Sequence, residues 1–106
     1  MKVSYSQEAI RDLEGIGDYI ADELLNPQAA LRTVSKIQDS IDKLADFPYI
    51  GAALSSVVDI DSDYRFLVCG KYLAFYRILD QKALIDRILY GKRDYVAILF
   101  GDLPQS

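Results

Sequence analysis

The chain has 106 residues, of which 51% are hydrophobic and 26% charged, and a net charge of −4. That size supports one domain, residues 1–106, around a single core; disorder along the whole length is excluded, and so is a membrane span, because no apolar run approaches the ~18 residues a bilayer requires. With no histidine and one cysteine, the chain cannot make an internal disulfide, assemble a Cys/His zinc site or run histidine-dependent catalysis, and neither metal nor other cofactor is expected.

The opening residues, MKVSYSQEAI, lack the apolar stretch of a secretory signal, so the expected location is cytoplasmic. Lys2–Tyr5 predicts a short strand and Ser6 an N-cap, with Glu8 and Asp12 near the positive end of the helix dipole. Ile10, Leu13, Ile16, Ile20 and Leu24 recur at helical spacing and predict a first helix from Ser6 to about Leu25. Gly15 and Gly17 weaken its middle, by about 1 kcal/mol each relative to alanine, or admit a neighbouring helix. Asn26-Pro27 ends it and caps a second helix with the stripe Ala30, Val34, Ile37, Ile41 and Leu44, ending near Asp46. So short a connection dictates an antiparallel helical hairpin.

Phe47-Pro48-Tyr49-Ile50-Gly51 breaks the helical pattern, and 52–63 reads as loop with at most one short strand. Three strands follow, 64–69, 72–79 and 83–90, joined by the turns Gly70-Lys71 and Asp80-Gln81-Lys82. The tail 94–100 is either a short helix or an edge strand. The order β-α-α-β-β-β predicts an α+β fold in which the N-terminal strand joins a mostly antiparallel sheet, the helical hairpin covers one face, and the other face stays free.

Charge is divided along the chain: residues 1–63 hold 12 acids and 5 bases, residues 64–106 hold 4 acids and 7 bases. An acidic protein does not attract nucleic acid at long range, so direct binding of free nucleic acid is not expected, and at most one local basic face is available. The densest basic element is the turn Tyr90-Gly91-Lys92-Arg93-Asp94-Tyr95. Lys92 and Arg93 read as target contacts in preference to a solvated turn, because Gly91 admits close backbone approach and tyrosines flank the pair. Arg77 and Arg87 are candidates on neighbouring strands, although pairing with Asp86 or Asp80 is the favoured role. Tyr64, Tyr72, Tyr76, Tyr90 and Tyr95 could stack bases, but most tyrosines on strands pack. Asp12, Asp18, Asp22, Asp39 and Asp42 read as a solvated acidic helix face. Lone Cys69 reads as a small buried hydrophobe.

Phe47-Pro48-x-x-Gly51, then Tyr72-Leu73-Ala74-Phe75-Tyr76-Arg77, then Arg87-Ile88-Leu89-Tyr90-Gly91-Lys92-Arg93-Asp94-Tyr95, in this order on this helix–strand pattern, resemble the RelE/ParE superfamily of toxins from type II toxin–antitoxin (plasmid stabilisation) modules. The resemblance covers essentially the whole chain. It implies a growth-inhibiting toxin neutralised by a cognate antitoxin, with either DNA gyrase (ParE-like) or messenger RNA on the ribosome (RelE-like) as target.

The residues divide these alternatives. If the chain is a RelE-like nuclease, the resemblance makes Arg65, Lys92, Arg93 and Tyr95 the catalytic candidates. The family's strand arginine is replaced by Leu73, a second strand lysine falls near Leu67, and the C-terminal tyrosine position falls at about Leu99. Losing cations at a phosphoryl-transfer site is costly. The ParE-like pattern keeps Tyr76-Arg77 and Gly91-Lys92-Arg93-Asp94, with Tyr90 where relatives carry histidine; tyrosine, ionising near ~10, supplies no base at neutral pH. The favoured expectation is a ParE-like toxin that binds its target through Arg77, Arg87, Tyr90, Lys92, Arg93 and Tyr95, without turnover. The alternatives are an mRNA endonuclease, and an attenuated toxin that chiefly binds antitoxin and co-regulates transcription.

Overall fold

The structure, a computed structural model, describes residues 1–101. Strand β1 (Lys2–Tyr5) leads into helix α1 (Gln7–Asp18), whose Ser6 cap accepts the Ala9 amide at 2.9 Å. α1 continues as a π-helical turn, Tyr19–Glu23, and the chain reverses through Leu25 at φ 54°. Helix α2 (Pro27–Asp42) returns antiparallel, capped by Asn26 and extended by a 3₁₀ turn, Lys43–Ala45. The sheet adds β2 (Ala52–Ala53), β3 (Arg65–Cys69), β4 (Tyr72–Leu79) and β5 (Lys82–Tyr90), and helix α3 (Tyr95–Phe100) closes the described chain. Among the described residues no helix is long and apolar enough to cross a membrane.

The strand order is β1-β5-β4-β3-β2, with β1 parallel to β5 and the other pairs antiparallel. The second hairpin turns on two residues, Asp80 and Gln81, not three. Both adopt positive φ (50° and 61°), the geometry that matches strand twist, and Lys82 becomes the first residue of β5. On β5, Phe75 pairs with Arg87 but Tyr76 with Ile85, so Asp86 is an extra residue. This bulge changes the alternation and lets Ile85 and Ile88 face the same side.

That side is the main core: Ala9 and Leu13 of α1, Ile37 and Ile41 of α2, and Leu44 meet Ala74, Tyr76, Ala83, Ile85 and Ile88. The α2 stripe is buried as its spacing predicts. On α1 the core register is held by Ala9, Leu13, Ile16 and Ile20, and Ile10 and Leu24 lie exposed. Ile10 sits 100° round the helix from Ala9, and the π turn moves Leu24 out of phase. Gly17 admits α2 closely, since a Cβ there would lie 3.3 Å from Val34 Cγ2.

The opposite face of the sheet is not free. Leu54, Phe75 and Leu89 form a second core there, covered by Val58, Tyr64 and, from α3, Tyr95, Ile98, Leu99 and Phe100. The tail is thus a helix, and its apolar run finds its partner on that face.

Candidate functional site

The basic turn is built outward from β5. Gly91 donates its amide to the Lys71 carbonyl at 2.9 Å, and a Cβ at Gly91 would lie only 3.3 Å from that oxygen. The close approach that Gly91 permits is therefore to the β3–β4 turn, and it brings Lys71 beside Lys92 and Arg93. Arg93 N donates to Tyr90 O at 3.0 Å, and Asp94 caps α3 through Ala97 N at 3.2 Å. Lys92 and Arg93 are exposed.

Beside this turn, a cleft of about 1150 Å³ opens between the helical hairpin and the end of the sheet. Its apolar floor is formed by Ile16, Ile20, Ile37 and Ile88, with Tyr19, Tyr72 and Tyr90 at the wall. Tyr72 and Tyr90 are cross-strand partners with ring centroids 5.9 Å apart. Burial, then the nearby Tyr90 and Tyr19, pushes the Tyr72 hydroxyl above its ordinary pKa. Lys36 of α2, Lys43 of the 3₁₀ turn that extends it, Lys71 and Arg93 also line the cleft, and among the described residues none of these four cations makes an ion pair.

The sequence-expected residues divide into two groups. Tyr90 and Arg93 line the cleft, with Lys92 in the same turn. The others are held elsewhere. Arg77 Nε donates to Asp86 Oδ2 at 3.1 Å, and its guanidinium lies over the Tyr64 ring at 5.1 Å. Arg87 pairs with neither Asp86 nor Asp80 but with Asp12 of α1, at 2.8 and 2.9 Å. That bond raises the Arg87 pKa above its usual value, against an opposing effect of burial. Asp12 also accepts the Ile88 amide at 2.9 Å. It leaves the solvated acidic face because β1 ends at Tyr5, and the edge of β5 beyond Ile85 needs an acceptor.

Arg65 donates to the carbonyls of Tyr49 and Gly51 and stacks on the Tyr49 ring at 5.3 Å. It pairs with Tyr76 across β4, four residues or about 13 Å along the sheet from the Tyr72–Tyr90 pair. Tyr95 packs on Phe75 at 5.2 Å in the second core. Arg65, Lys92, Arg93 and Tyr95 are thus not gathered at one point. Leu73, at the family's arginine position, faces that second core, as does Leu99, while Leu67 packs on the first. Of the five tyrosines, Tyr76, Tyr64 and Tyr95 serve packing, leaving Tyr72 and Tyr90 at the cleft. Cys69 is buried at the cleft edge, and burial raises its thiol pKa.

Lys36, Lys43 and Lys71 were not singled out by sequence reasoning. The signal was available for two of them: Lys36 and Lys43 stand seven residues apart, two turns on one helix face.

The profile of a family described as the ParE toxin of the type II toxin–antitoxin system parDE matches residues 3–95. A solved structure of the chromosomal ParDE toxin–antitoxin system from P. aeruginosa is 26% identical, with a TM-score of 0.74 over 87% of this chain and 97% of that one. YafQ from E. coli strain BL21(DE3) is 17% identical, with a TM-score of 0.55 over 94% and 98%. A chain of the intact E. coli RelBE toxin–antitoxin complex is 11% identical, with a TM-score of 0.51 over 87% and 98%. The last two share the fold alone. No curated protein matches the sequence.

Proposed function

The chain belongs to the ParE toxin family of type II toxin–antitoxin systems, and from that premise we propose that it arrests growth by binding a larger cellular target, without turnover, until a cognate antitoxin occludes it. The observation that carries this reading is the state of the arginines. Arg65, Arg77 and Arg87 are each tied up in contacts inside the fold. Phosphoryl transfer at a ribosome-bound message needs several cations converging on one phosphate, and the candidates do not converge. Exposed Lys92 and Arg93, with Tyr90 beside them, form a surface suited to contact and not to chemistry. The cationic edge matches an acidic protein surface, and DNA gyrase is the target proposed for it.

Induced expression should arrest growth, and purified protein should inhibit gyrase supercoiling in a manner weakened by Arg93→Ala. Full supercoiling activity at excess toxin removes gyrase as the target. Codon-positioned cuts in translated messages, absent with Arg93→Ala, would replace binding by an mRNA endonuclease activity.

A further inference from the structure

The tip of the helical hairpin is apolar and acidic at once. The π turn, Tyr19–Glu23, interrupts the regular helix, and Leu25 reverses the chain at φ 54°, a left-handed conformation that costs a bulky residue roughly 1–2 kcal/mol. The side chain held there has little cover among the described residues: Leu25 is 83% exposed and Leu24 57%. Residues 18–28 hold three acids, Asp18, Asp22 and Glu23, and no base. All three are exposed, and none makes an ion pair among the described residues.

The cleft beside the tip has the opposite charge. Its floor is isoleucine, and Lys36, Lys43, Lys71 and Arg93 line it without ion-pair partners among the described residues. Of the two acids in the lining, Asp12 is already paired with Arg87, which leaves Asp39. In a chain of net charge −4 the cleft is thus a local excess of cations around apolar surface. Leu24 lines the cleft and belongs to the tip as well, so tip and cleft form one continuous surface.

We propose that the free protein pairs with a second copy of itself, Leu25 of each chain entering the cleft of the other and Asp22 and Glu23 of each meeting the other's Lys36 and Lys71. A surface with an acidic, apolar projection next to a basic, apolar recess is complementary to itself under a two-fold rotation. Both contacts then form at once, and the assembly closes at a dimer. Opposite charges, with leucine against isoleucine, select this occupant over nucleic acid, which matches the cations but is repelled by the acids of the tip. The dimer covers Tyr90 and Arg93, which line the cleft, and so withdraws the surface read above as the target contact. That consequence rests on the toxin reading; the pairing itself does not.

Sedimentation velocity on the full chain, without antitoxin, tests the pairing across a concentration series, and the parent should show a monomer–dimer equilibrium. Asp22→Lys/Glu23→Lys at the tip and Lys36→Glu/Lys71→Glu in the cleft change exposed side chains, and each should weaken dimerisation roughly tenfold or more. The tip variant replaces two acids by two bases and so cancels the net charge of −4; a loss there cannot come from repulsion between whole molecules. Mixing the two variants in equal amounts sets a reversed tip against a reversed cleft at both contacts and should restore the parent's dimer. Leu25→Gly, which suits the left-handed backbone, should weaken dimerisation while holding or raising stability. Lys2→Glu/Lys82→Glu, at the far end of β1 and β5, should dimerise as the parent does. A parent that stays monomeric up to about 1 mM, the weak end of specific association, overturns the inference. So does a dimer that survives either reversal, or a mixture of the two that fails to associate. Assembly that runs beyond the dimer overturns the two-fold arrangement. Growth arrest and gyrase inhibition play no part in this measurement, so its failure leaves the toxin reading standing.

Discussion

The Tyr76 hydroxyl is wedged against Gly51: it accepts the Gly51 amide at 3.1 Å and donates to the Pro48 carbonyl at 2.8 Å. A Cβ on Gly51 would lie 2.6 Å from that hydroxyl and 2.7 Å from the Phe66 carbonyl. The Phe-Pro-x-x-Gly element is therefore a lock between the end of the helical hairpin and the sheet. Tyr76→Phe strands a buried amide and a carbonyl and should cost about 1–3 kcal/mol by urea denaturation. Gly51→Ala should cost at least as much, because the nearest atoms include backbone that cannot move aside. Tyr76→Phe should not rescue it, since Tyr76 Cε1 also lies within 2.7 Å of the added methyl.

Asp12 makes one carboxylate serve two elements, the Arg87 guanidinium and the Ile88 amide at the edge of β5. Asp12→Ala should cost about 1–3 kcal/mol, because it leaves a partly buried cation and an amide unpaired together. Asp12→Asn keeps an acceptor for the Ile88 amide and should cost roughly half as much. Equal losses in the two variants would show that the charge alone matters and that the edge amide finds another partner.

The helices, the three long strands and the α+β class were legible because each is carried by local periodicity, and the caps Ser6 and Asn26 are local signals as well. What was not legible depends on contacts distant in sequence. Asp12 and Arg87 stand 75 residues apart, so nothing in the spacing of the acids on α1 shows that one of them turns inward to a partner. The bulge at Asp86 and the positive φ of Asp80 and Gln81 decide side-chain alternation and turn length, yet neither site carries the glycine that would announce it. The second core was missed for a related reason: YVAILF is too short for its periodicity to choose between helix and strand, and only the exposed apolar face of β4 and β5 settles it. At the cleft, the basic turn was readable as a run, whereas Lys36, Lys43 and Lys71 join it only through the hairpin packing and the Gly91–Lys71 hydrogen bond.

The basic residues should separate experimentally into two groups. Lys92→Ala and Arg93→Ala alter exposed side chains that make no ion pair among the described residues, so each should leave stability within about 0.5 kcal/mol of the parent. Both should weaken growth arrest on induction. Arg65→Ala should instead lower stability by about 1–3 kcal/mol, because it releases the carbonyls of Tyr49 and Gly51. Urea midpoints measured beside plating efficiency decide this. Full growth arrest by both Lys92→Ala and Arg93→Ala would move the contact surface away from the turn.

Alkaline stability should be governed by two tyrosines on opposite faces of the sheet. Burial, then the charges of Asp42 and Cys69, pushes Tyr5 up to about 12. Burial, then Asp86, does the same for Tyr64, while Arg77 pulls the other way. Both are neutral below the unfolded value of about 10, so their contribution is fully present there. Between pH 10 and 12 the unfolded chain releases these protons and the folded chain retains them, so stability falls as pH rises through that window. Tyrosinate absorbance should show these two ionising late, together with loss of structure. Tyr5→Phe removes one of the two titrations without removing a side-chain hydrogen bond. It should match the parent near neutral pH and unfold at higher pH in the alkaline scan. An unchanged alkaline midpoint in Tyr5→Phe would show that the burial of this ring between β1 and the helices does not control the transition.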